Sequence, residues 1–441
     1  MHPLLGIAYA AAGAVAESLA AVAPAGDGKL SRTLRARRTA LADLLGLADA
    51  HRDPARPLLW MHAPSVGEGL QARPVLERAR AERPELQLAY TWFSPSAEQF
   101  GRSLDVDIAG VLPFDTAANA TALVEALQPA ALVCAKTDLW PLLAGVAHAR
   151  GVPLALVSAT LAEGSSRGAV ARAVLGDAYA ALDAVGAISE ADASRLVSFG
   201  VRADRVTVTG DTRYDQVWAR AQAVDRAGAL LAPLESARPT LVAGSTWPSD
   251  EKPLLAVWRA MVPPQGGSGE ASHAGDTSRP RIVIAPHEPN AAHLGVLERW
   301  ARASSLSVAT LGSPEAGRAD VVLVDRVGVL GELYALATVA FVGGGFHSAG
   351  LHSVLEPAAF GVPVAFGPDY RMSRDAVRLI EGGGGASGRS AAALRAIIGG
   401  WFADHASRTR VGERALSVVT GGLGAADRSW ALVARLLDAR P

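Results

Sequence analysis

Glu68 is the carboxylate with the most unusual neighbours in the sequence. It stands between Gly67 and Gly69, shortly after an apolar run that ends at Ala63, and Ser65 precedes it by three residues. A Ser and a Glu at this spacing can exchange hydrogen bonds with backbone N–H groups at a helix start, an arrangement called a capping box. Because glycine weakens the first turn of a helix, the flanking glycines favour a site where a ligand approaches the backbone. The stretch allows two interpretations, a helix cap and a carboxylate that takes a proton from a substrate.

A second group of candidate residues follows the three glycines 343–345. An apolar run enters these glycines, and the sequence then predicts a helix that begins at Ser353, with Glu356 three residues later. Backbone N–H groups at a helix start attract anions, and glycines let a phosphate come close. Glu356 allows a capping box with Ser353, and it could also accept hydrogen bonds from ribose hydroxyls. The pattern favours a nucleotide site that includes Gly344 and Gly345.

Several other kinds of site are disfavoured by the sequence. Asp105 and Asp107 have the spacing of a metal-binding pair, but one such pair is expected by chance in a chain of 441 residues. His347 and His352 are too scattered for a zinc site, and no H-E-x-x-H motif occurs. No G-K-[ST] loop is present, which argues against a P-loop NTPase. Cys134 is the single cysteine, so no internal disulfide can form. We predict no metal site.

Short apolar runs must position these residues, and they alternate with helix-patterned stretches along most of the chain. Continuous apolar strands that alternate with helices are typical of a parallel sheet covered on both faces, and so of an α/β fold. The alternation pauses near 219–238, which predicts two domains in series, at 41–222 and 239–441. The predicted strands lie at 57–63, 87–92, 108–113, 130–135, 153–158, 184–188, 205–209, 241–246, 281–286, 307–311, 321–325, 338–344 and 363–367.

Ligands of open parallel sheets bind outside the carboxyl ends of the strands, where the candidate residues lie. Two such domains that face each other would place a ligand cleft between them. His287 also stands at a strand end, after Pro286. It could donate to a phosphate or be an ordinary polar loop residue, and its position favours the first role. The net charge of −1 gives no indication of a nucleic-acid partner.

The N-terminal segment 1–40 has its own composition. Residues 3–24 are almost wholly apolar, interrupted by Glu17 and Ser18, and a basic cluster follows. Such a segment could be a soluble helix packed on the domain, or an interfacial or anchoring helix at an anionic membrane. The basic residues are Lys29, Arg32, Arg35, Arg37 and Arg38.

Taken together, the motifs resemble those of the 3-deoxy-D-manno-octulosonic acid (Kdo) transferases of lipopolysaccharide biosynthesis, in order along most of the chain. The matching stretches are Ser65–Glu68, Pro113–Asp115, Asp138–Pro141, Val208–Asp215, Ala243–Thr246 and Phe341–Pro368. The last stretch, which reads F-V-G-G-G-F-H-S-A-G-L-H-S-V-L-E-P-A-A-F-G-V-P-V-A-F-G-P, is the most specific.

The resemblance implies a GT-B fold, with an acceptor-binding domain first, a nucleotide-binding domain second, and parallel sheets facing a central cleft. It implies an inverting, metal-independent transfer of Kdo from CMP-Kdo to a lipid A precursor of the lipid IVA type. The enzyme would work at the cytoplasmic face of the bacterial inner membrane, and with no cofactor other than its donor. Glu68 matches the family's general base. The positions that match its CMP contacts are Pro286, His287, Val327, Gly328, Val329, Ser353, Val354, Leu355 and Glu356.

The chain also departs from the family pattern. Lys136 stands where the family has a glutamate, Thr160 stands at a basic position, and Ser353 replaces an asparagine. The family has an arginine between the proline and the histidine at this strand end, whereas Pro286 and His287 are adjacent here and follow Ala285. These departures leave two alternatives open. One is a GT-B enzyme with another nucleotide sugar, a UDP-sugar transferase or a 2-epimerase, and the other is a non-catalytic relative.

Overall fold

Two parallel sheets organise the chain. The structure is a computed structural model that describes residues 3–21, 29–161, 169–262 and 279–439. These residues form two compact units. The first contains the chain up to residue 216 together with 422–439, and the second contains 217–421. The α/β class and the parallel strands confirm the class that the alternating pattern predicted.

The first sheet has the doubly wound strand order of a Rossmann-like fold. Its strands are β1 (Leu58–His62), β2 (Gln87–Trp92), β3 (Ile108–Val111), β4 (Ala131–Ala135), β5 (Leu154–Ala159), β6 (Ala184–Ala187) and β7 (Val206–Val208). They lie in the order β3-β2-β1-β4-β5-β6-β7, and every pair is parallel. The direction of winding reverses between β1 and β4. In such sheets this switch point is where ligands bind.

Helices cover both faces of the first sheet, so its central strands are buried along their whole length. Two hydrophobic cores result, one on each face. The helices are α1 (Pro3–Ala21), α2 (Lys29–Arg38), α3 (Ala40–His51), α4 (Val66–Glu82), α5 (Glu98–Arg102), α6 (Ala117–Leu127), α7 (Pro141–Ala149), α8 (Ala169–Ala180), α9 (Glu190–Phe199), α10 (Arg213–Gln222), which runs into the second unit, and, at the C-terminal end, α18 (Ala425–Asp438). Single 3₁₀ turns lie at Pro95–Ala97 and Ala203–Arg205.

The last helix returns to the first unit. The sequence had placed it in a second domain at 239–441, and this boundary is wrong for residues 422–439. Trp430 and Val433 of α18 are buried in the same core as α4. The Trp430 indole N–H donates to Glu82 at 2.8 Å, and Asp215 accepts the N–H groups of Gly424 and Ala426 at 2.7 and 3.0 Å. Burial of the apolar face of α18 and the cap provided by Asp215 account for the return.

The second unit contains a sheet with the same kind of winding. Its strands are β8 (Thr240–Thr246), β9 (Arg281–Pro286), β10 (Val308–Thr310), β11 (Val321–Leu323), β12 (Val339–Val342), β13 (Val364–Phe366) and β14 (Gly385–Ser387). The order is β10-β11-β9-β8-β12-β13-β14, so the switch point lies between β8 and β12. The helices are α11 (Pro248–Met261), α12 (Ala291–Ala303), α13 (Leu330–Leu333), α14 (Leu355–Ala358), α15 (Arg374–Glu381), α16 (Ala391–Ala403) and α17 (His405–Thr420), with 3₁₀ turns at Ala232–Leu234 and Tyr334–Leu336.

The N-terminal helix α1 packs on the first unit through one face. The Tyr9 hydroxyl donates to Asp115 at 3.0 Å, Glu17 accepts from the Asn119 amide, and a Cβ at Gly13 would lie in tight contact with the Asp115 carbonyl oxygen, at 3.2 Å. These three helix positions are spaced by four residues, so they share one face. The polar Glu17 of the apolar segment is thereby explained by a tertiary contact.

The basic residues that follow α1 differ in their exposure to solvent. Arg37 is buried, its guanidinium lies 3.1 Å from the centre of the Phe93 ring, and it donates to the Phe93 carbonyl at 2.6 Å. Arg32, Arg35 and Arg38 are exposed. Residues 1–2 and 22–28 of the N-terminal segment lie outside the described residues. Within the helices that are described, none has the length and hydropathy needed to cross a membrane.

Candidate active site

Glu68 lies in the first turn of α4, at the carboxyl end of β1. Ser65 is the N-cap residue, and its hydroxyl oxygen accepts the Gly67 N–H at 3.2 Å. The same hydroxyl donates to one carboxylate oxygen of Glu68, Oε2. The cap and the carboxylate are therefore parts of one arrangement, in which the helix start fixes the direction of the Glu68 side chain.

The two glycines beside Glu68 serve different purposes. A side chain at Gly69 would lie 2.7 Å from the Tyr90 hydroxyl and would also collide with the Phe100 ring, so close packing requires this glycine. Gly67 is exposed, and a Cβ there would meet only the Ser65 hydroxyl, at 3.7 Å. The surface beside Glu68 is consequently open at Gly67, where a ligand can reach the backbone.

Lys136 contacts Glu68 from the other side of the switch point. It follows β4, and its ammonium lies 3.1 Å from Oε1 of Glu68. Burial by itself would raise the pKa of Glu68, but the hydrogen bond from Ser65 and the charge of Lys136 outweigh burial and hold that pKa below its ordinary value of 4.5. Glu68 is therefore ionised at neutral pH, and its side chain is 19% exposed.

A chain of hydrogen-bonded polar side chains, buried at His62 and Thr91 and half-buried at Asp138, lies along the carboxyl ends of the neighbouring strands. His62, at the end of β1, is hydrogen-bonded to the Thr91 hydroxyl at 2.9 Å and to Asp138 at 3.1 Å. The Trp140 indole N–H donates to the same Asp138 oxygen at 3.0 Å, and the Trp140 ring lies 4.8 Å from the ring of Phe93. Asp138 and Trp140, which the sequence singled out only as part of a motif, thus contact His62 at the end of β1, the strand that leads into the turn of Glu68.

In the second unit, Asp250 occupies the switch point. It is fully buried in the first turn of α11, after β8. Its carboxylate accepts the N–H groups of Trp247 at 3.0 Å, Gly344 at 2.7 Å and Phe346 at 2.9 Å. Gly344 has a φ of +95°, a conformation that favours glycine, and a Cβ at Gly345 would lie 2.6 Å from the Gly367 Cα. The glycine turn is thus held by a carboxylate, and the Gly344 N–H, expected to face a phosphate, already has a partner.

Three histidines meet Trp247 at the carboxyl ends of β8, β9 and β12. The Trp247 ring stacks on His347 at 4.1 Å and on His287 at 4.5 Å, and His287 stacks in turn on His352 at 4.6 Å. The Trp247 indole N–H points at Nε2 of His352, 3.3 Å away. The sequence suggested His347 and His352 only as possible zinc ligands. Their contacts with Trp247 and His287 could not be foreseen, because those two residues belong to other loops much earlier in the chain.

From the contacts in this ring cluster we predict that the second unit loses stability in mild acid. Burial, and then the neighbouring His287 and His347, lower the pKa of His352 from 6.5, while Asp250 opposes the shift. A neutral His352 is also the form whose Nε2 can accept from Trp247. Because the unfolded chain binds a proton more readily, stability should fall as the pH drops below 6.5. Urea unfolding between pH 7.5 and 5.5 measures this fall, and we expect His352→Gln to reduce it.

The exposed His405 of α17 offers a matched control for the same unit. His405→Gln should leave the pH dependence of unfolding as in the unchanged protein. Equal curves for all three proteins would show that the ring cluster does not sense pH.

The predicted helix start at Ser353 differs from the structure. α14 begins at Leu355 and has only four residues, and no side chain caps it. The His352 N–H donates to the Gly343 carbonyl at 3.1 Å, and this hydrogen bond keeps the chain before Leu355 out of a helix. Glu356 accordingly makes no capping box with Ser353. It lies 3.8 Å from the Arg220 guanidinium, and burial raises its pKa although Arg220 opposes the shift.

The remaining predicted contacts lie at the same edge of the second sheet. Pro286 ends β9, and the His287 N–H donates to the Thr246 carbonyl at 2.9 Å. The loop Val327–Val329 comes after β11, with Val327 76% exposed and open space around Gly328, whose φ is +91°. Because β11, β9, β8 and β12 are adjacent, the structure gathers these residues, the ring cluster and the glycine turn along one edge.

The aspartate pair 105 and 107 takes part in structural contacts. Arg80 lies 3.4 Å from Asp105 and 2.9 Å from Asp107, and the Leu88 N–H donates to Asp107 at 2.8 Å. Among the residues that the structure describes, no group of three or more His, Cys, Asp or Glu side chains is arranged to hold a metal ion.

The fold resembles those of a solved UDP-GlcNAc 2-epimerase and a solved glycosyltransferase. The UDP-GlcNAc 2-epimerase of Neisseria meningitidis superposes with a TM-score of 0.61 at 13% identity, over 86% of this chain and all of that one. A glycosyltransferase of Rickettsia africae gives 0.51 at 10% identity, over 87% and 98%. At such identities the likeness shows the fold alone. Two Rossmann-like units of this kind define a protein of the GT-B fold.

The sequence comparisons identify the family. The family model described as 3-deoxy-D-manno-octulosonic-acid transferase (kdotransferase) matches residues 37–216. The 3-deoxy-D-manno-octulosonic acid transferase of Bordetella pertussis is 30% identical over 333 residues, 74% of each chain. That of Haemophilus influenzae is 24% identical over 418 residues, 91% of this chain and 92% of the relative. The chain belongs to the Kdo transferase family and is a glycosyltransferase.

Proposed function

We propose that this glycosyltransferase moves a Kdo residue from CMP-Kdo to a hydroxyl of a lipid A-type acceptor, with inversion at the anomeric carbon and without a metal. The acceptor hydroxyl attacks C2 of the sugar while the bond from C2 to the CMP phosphate breaks. The hydroxyl proton goes to a carboxylate of the protein, and CMP leaves with the bonding electrons. The first unit would bind the acceptor and the second unit the nucleotide.

The ionised, directed carboxylate of Glu68 is the observation that carries this proposal. A sugar hydroxyl is a poor nucleophile, so a base must take its proton as the new bond forms. Glu68 lies at the switch point of the first sheet, where ligands of such sheets bind. The Ser65 hydroxyl fixes its direction, and Gly67 leaves the approach open.

The edge of the second sheet supports a donor site. We propose that His287 and the loop Val327–Val329 contact the nucleotide, and that the N–H groups of Ser353–Glu356 face its phosphate. Within the described residues these four N–H groups have no hydrogen-bond partner. Neutral donors of this kind stabilise the negative charge that collects on a leaving phosphate.

We also propose that α1 holds the enzyme against the cytoplasmic face of the inner membrane, where a lipid acceptor would be available. Its outer face exposes Ile7, Val15 and Leu19, which are 67%, 58% and 56% exposed. The exposed arginines of α2 follow in the chain and would be attracted by anionic lipid headgroups. An apolar face next to cations is typical of a helix that lies in the interface.

Three substitutions test the membrane proposal. The variant combines Ile7→Asp, Val15→Asp and Leu19→Asp, and its binding is measured by sedimentation with vesicles of phosphatidylglycerol and phosphatidylethanolamine. We expect the sedimenting fraction of the protein to fall by at least about tenfold, because each substitution removes an apolar contact with the membrane worth about 1 kcal/mol or more. Ser18→Asp adds a charge to the exposed part of the same helix and should reduce binding much less. Unchanged sedimentation of the triple variant would contradict the role of α1.

The reaction itself is tested by incubating the protein with CMP-Kdo and a lipid IVA-type acceptor, followed by mass spectrometry of the lipid. The expected product is heavier by one or more Kdo residues, and the reaction releases CMP. Transfer from a UDP-sugar, or its epimerisation, with no transfer from CMP-Kdo would overturn the proposal. The same mixtures can be analysed for both outcomes.

A further inference from the structure

Lys136 places a cation beside the proposed base, where a cation is not needed for proton abstraction. A base works best when its pKa is near the working pH. Lys136 lowers the pKa of Glu68 and therefore weakens it as a base. The residue must serve another purpose if the site is active.

Stability does not provide that purpose. The Lys136 side chain is 44% exposed, and an ion pair with one exposed partner contributes little to stability. The backbone of Lys136 has a φ of +64°, a left-handed conformation that is unfavourable for an L-residue. The N–H of Lys136 donates to the Val157 carbonyl at 2.8 Å, which holds the strained residue at the end of β4. Residues with this kind of backbone strain cluster at functional sites.

The ammonium group of Lys136 has more N–H donors than its contact with Glu68 uses. A lysine carries three N–H donors, and one of them is directed at Oε1 of Glu68. The exposed part of the side chain lies at the switch point, and Lys136 contacts the Glu68 oxygen that Ser65 does not contact. A ligand hydroxyl held by Glu68 would therefore lie within a few ångströms of a free ammonium donor, so a group next to that hydroxyl can pair with it.

We infer that Lys136 determines acceptor specificity by pairing with an acidic group, a carboxylate or a phosphate, that the acceptor carries close to the hydroxyl deprotonated by Glu68. The inference rests on the proposed function and names the acceptor class of the same site. Lys136 binds the acidic group through charge-assisted hydrogen bonds, and Glu68 takes the proton.

The test measures kcat and KM for three acceptors with the unchanged protein and with Lys136→Met. The acceptors are a bis-phosphorylated disaccharide lipid, the same lipid without phosphates, and the lipid without phosphates that already carries one Kdo carboxylate. We expect Lys136→Met to raise KM about 10- to 100-fold for whichever acidic acceptor pairs with Lys136, as the loss of a charged hydrogen bond implies. KM for the neutral lipid should stay within about threefold.

Two further variants separate recognition from an effect on the base. Lys136→Arg keeps the charge and should restore most of the preference for the acidic acceptor. Lys252→Met removes an exposed lysine of the second unit and should change nothing. If Lys136→Met instead lowered kcat equally for all three acceptors and shifted only the acid limb of the pH profile, Lys136 would act on Glu68 alone and the inference would be wrong.

The outcome also distinguishes this inference from the proposed function. If the unchanged protein transfers Kdo with equal KM to neutral and acidic acceptors, the function stands and the inference fails. If it transfers to none of them but binds an acidic acceptor in calorimetry, and Lys136→Met abolishes that binding, the function fails and the recognition by Lys136 stands.

Discussion

Replacement of Glu68 by Gln should lower kcat for sugar transfer by about 100- to 10,000-fold, the range that general base catalysis contributes. Glutamine has nearly the same size and can still accept the Ser65 hydroxyl, so the helix start should keep its geometry. It cannot take the proton of the acceptor hydroxyl. The rate is measured with saturating donor and acceptor, and binding of CMP is measured in parallel to establish that the second unit is intact.

Glu77 provides the control for this experiment. It lies on the same helix, its side chain is 66% exposed, and it pairs only loosely with Arg73 at 3.9 Å. Glu77→Gln should leave both kcat and the melting temperature unchanged. If Glu68→Gln lowered the melting temperature by several degrees together with activity, the capping role would be the better explanation of this residue.

Replacement of Asp250 by Ala should destabilise the second unit by about 3 kcal/mol or more. Asp250 is fully buried and accepts three backbone N–H groups, each of which would be left without a partner at a cost of about 1–3 kcal/mol. For a unit of this size the melting temperature should fall by about 6–12 °C. Thermal unfolding followed by circular dichroism measures the change, and CMP binding should weaken because the glycine turn loses its support.

Asp404 offers the same substitution with a smaller expected effect. It caps α17 at an exposed position and accepts one backbone N–H, from Ser407 at 2.9 Å. Asp404→Ala should cost only about 1 kcal/mol, as for an ordinary helix cap. A similar, small shift for both variants would mean that the turn at residues 343–346 does not depend on Asp250.

The strands were largely predictable because a parallel sheet buries its strands on both faces. Each then reads as a continuous apolar run, and thirteen of the strands found in the described residues overlap predicted runs. The strand β14 was missed because Gly385–Ser387 contains no large apolar residue. The sequence reads as a turn there, and only its pairing with β13 makes it a strand.

The candidate site was predictable in part for a similar reason. The spacing of Ser65 and Glu68 is local, so the sequence shows the cap and the direction of the side chain. The contact with Lys136 depends on β1 and β4 being adjacent, although 68 residues separate the two side chains. The role of Asp250 and the stack of rings on Trp247 likewise arise from loops that only the sheet order brings together, and no local pattern in the sequence records that order.

The return of α18 to the first unit bears on the order in which the protein can fold during synthesis. The second unit is a continuous stretch, 217–421, and all of it is made before α18. The first unit has to wait for Trp430 and Val433 to fill its core. The first unit is therefore completed only after the second unit has been made, and until α18 has been synthesised an apolar surface on α4 stays uncovered and available to chaperones.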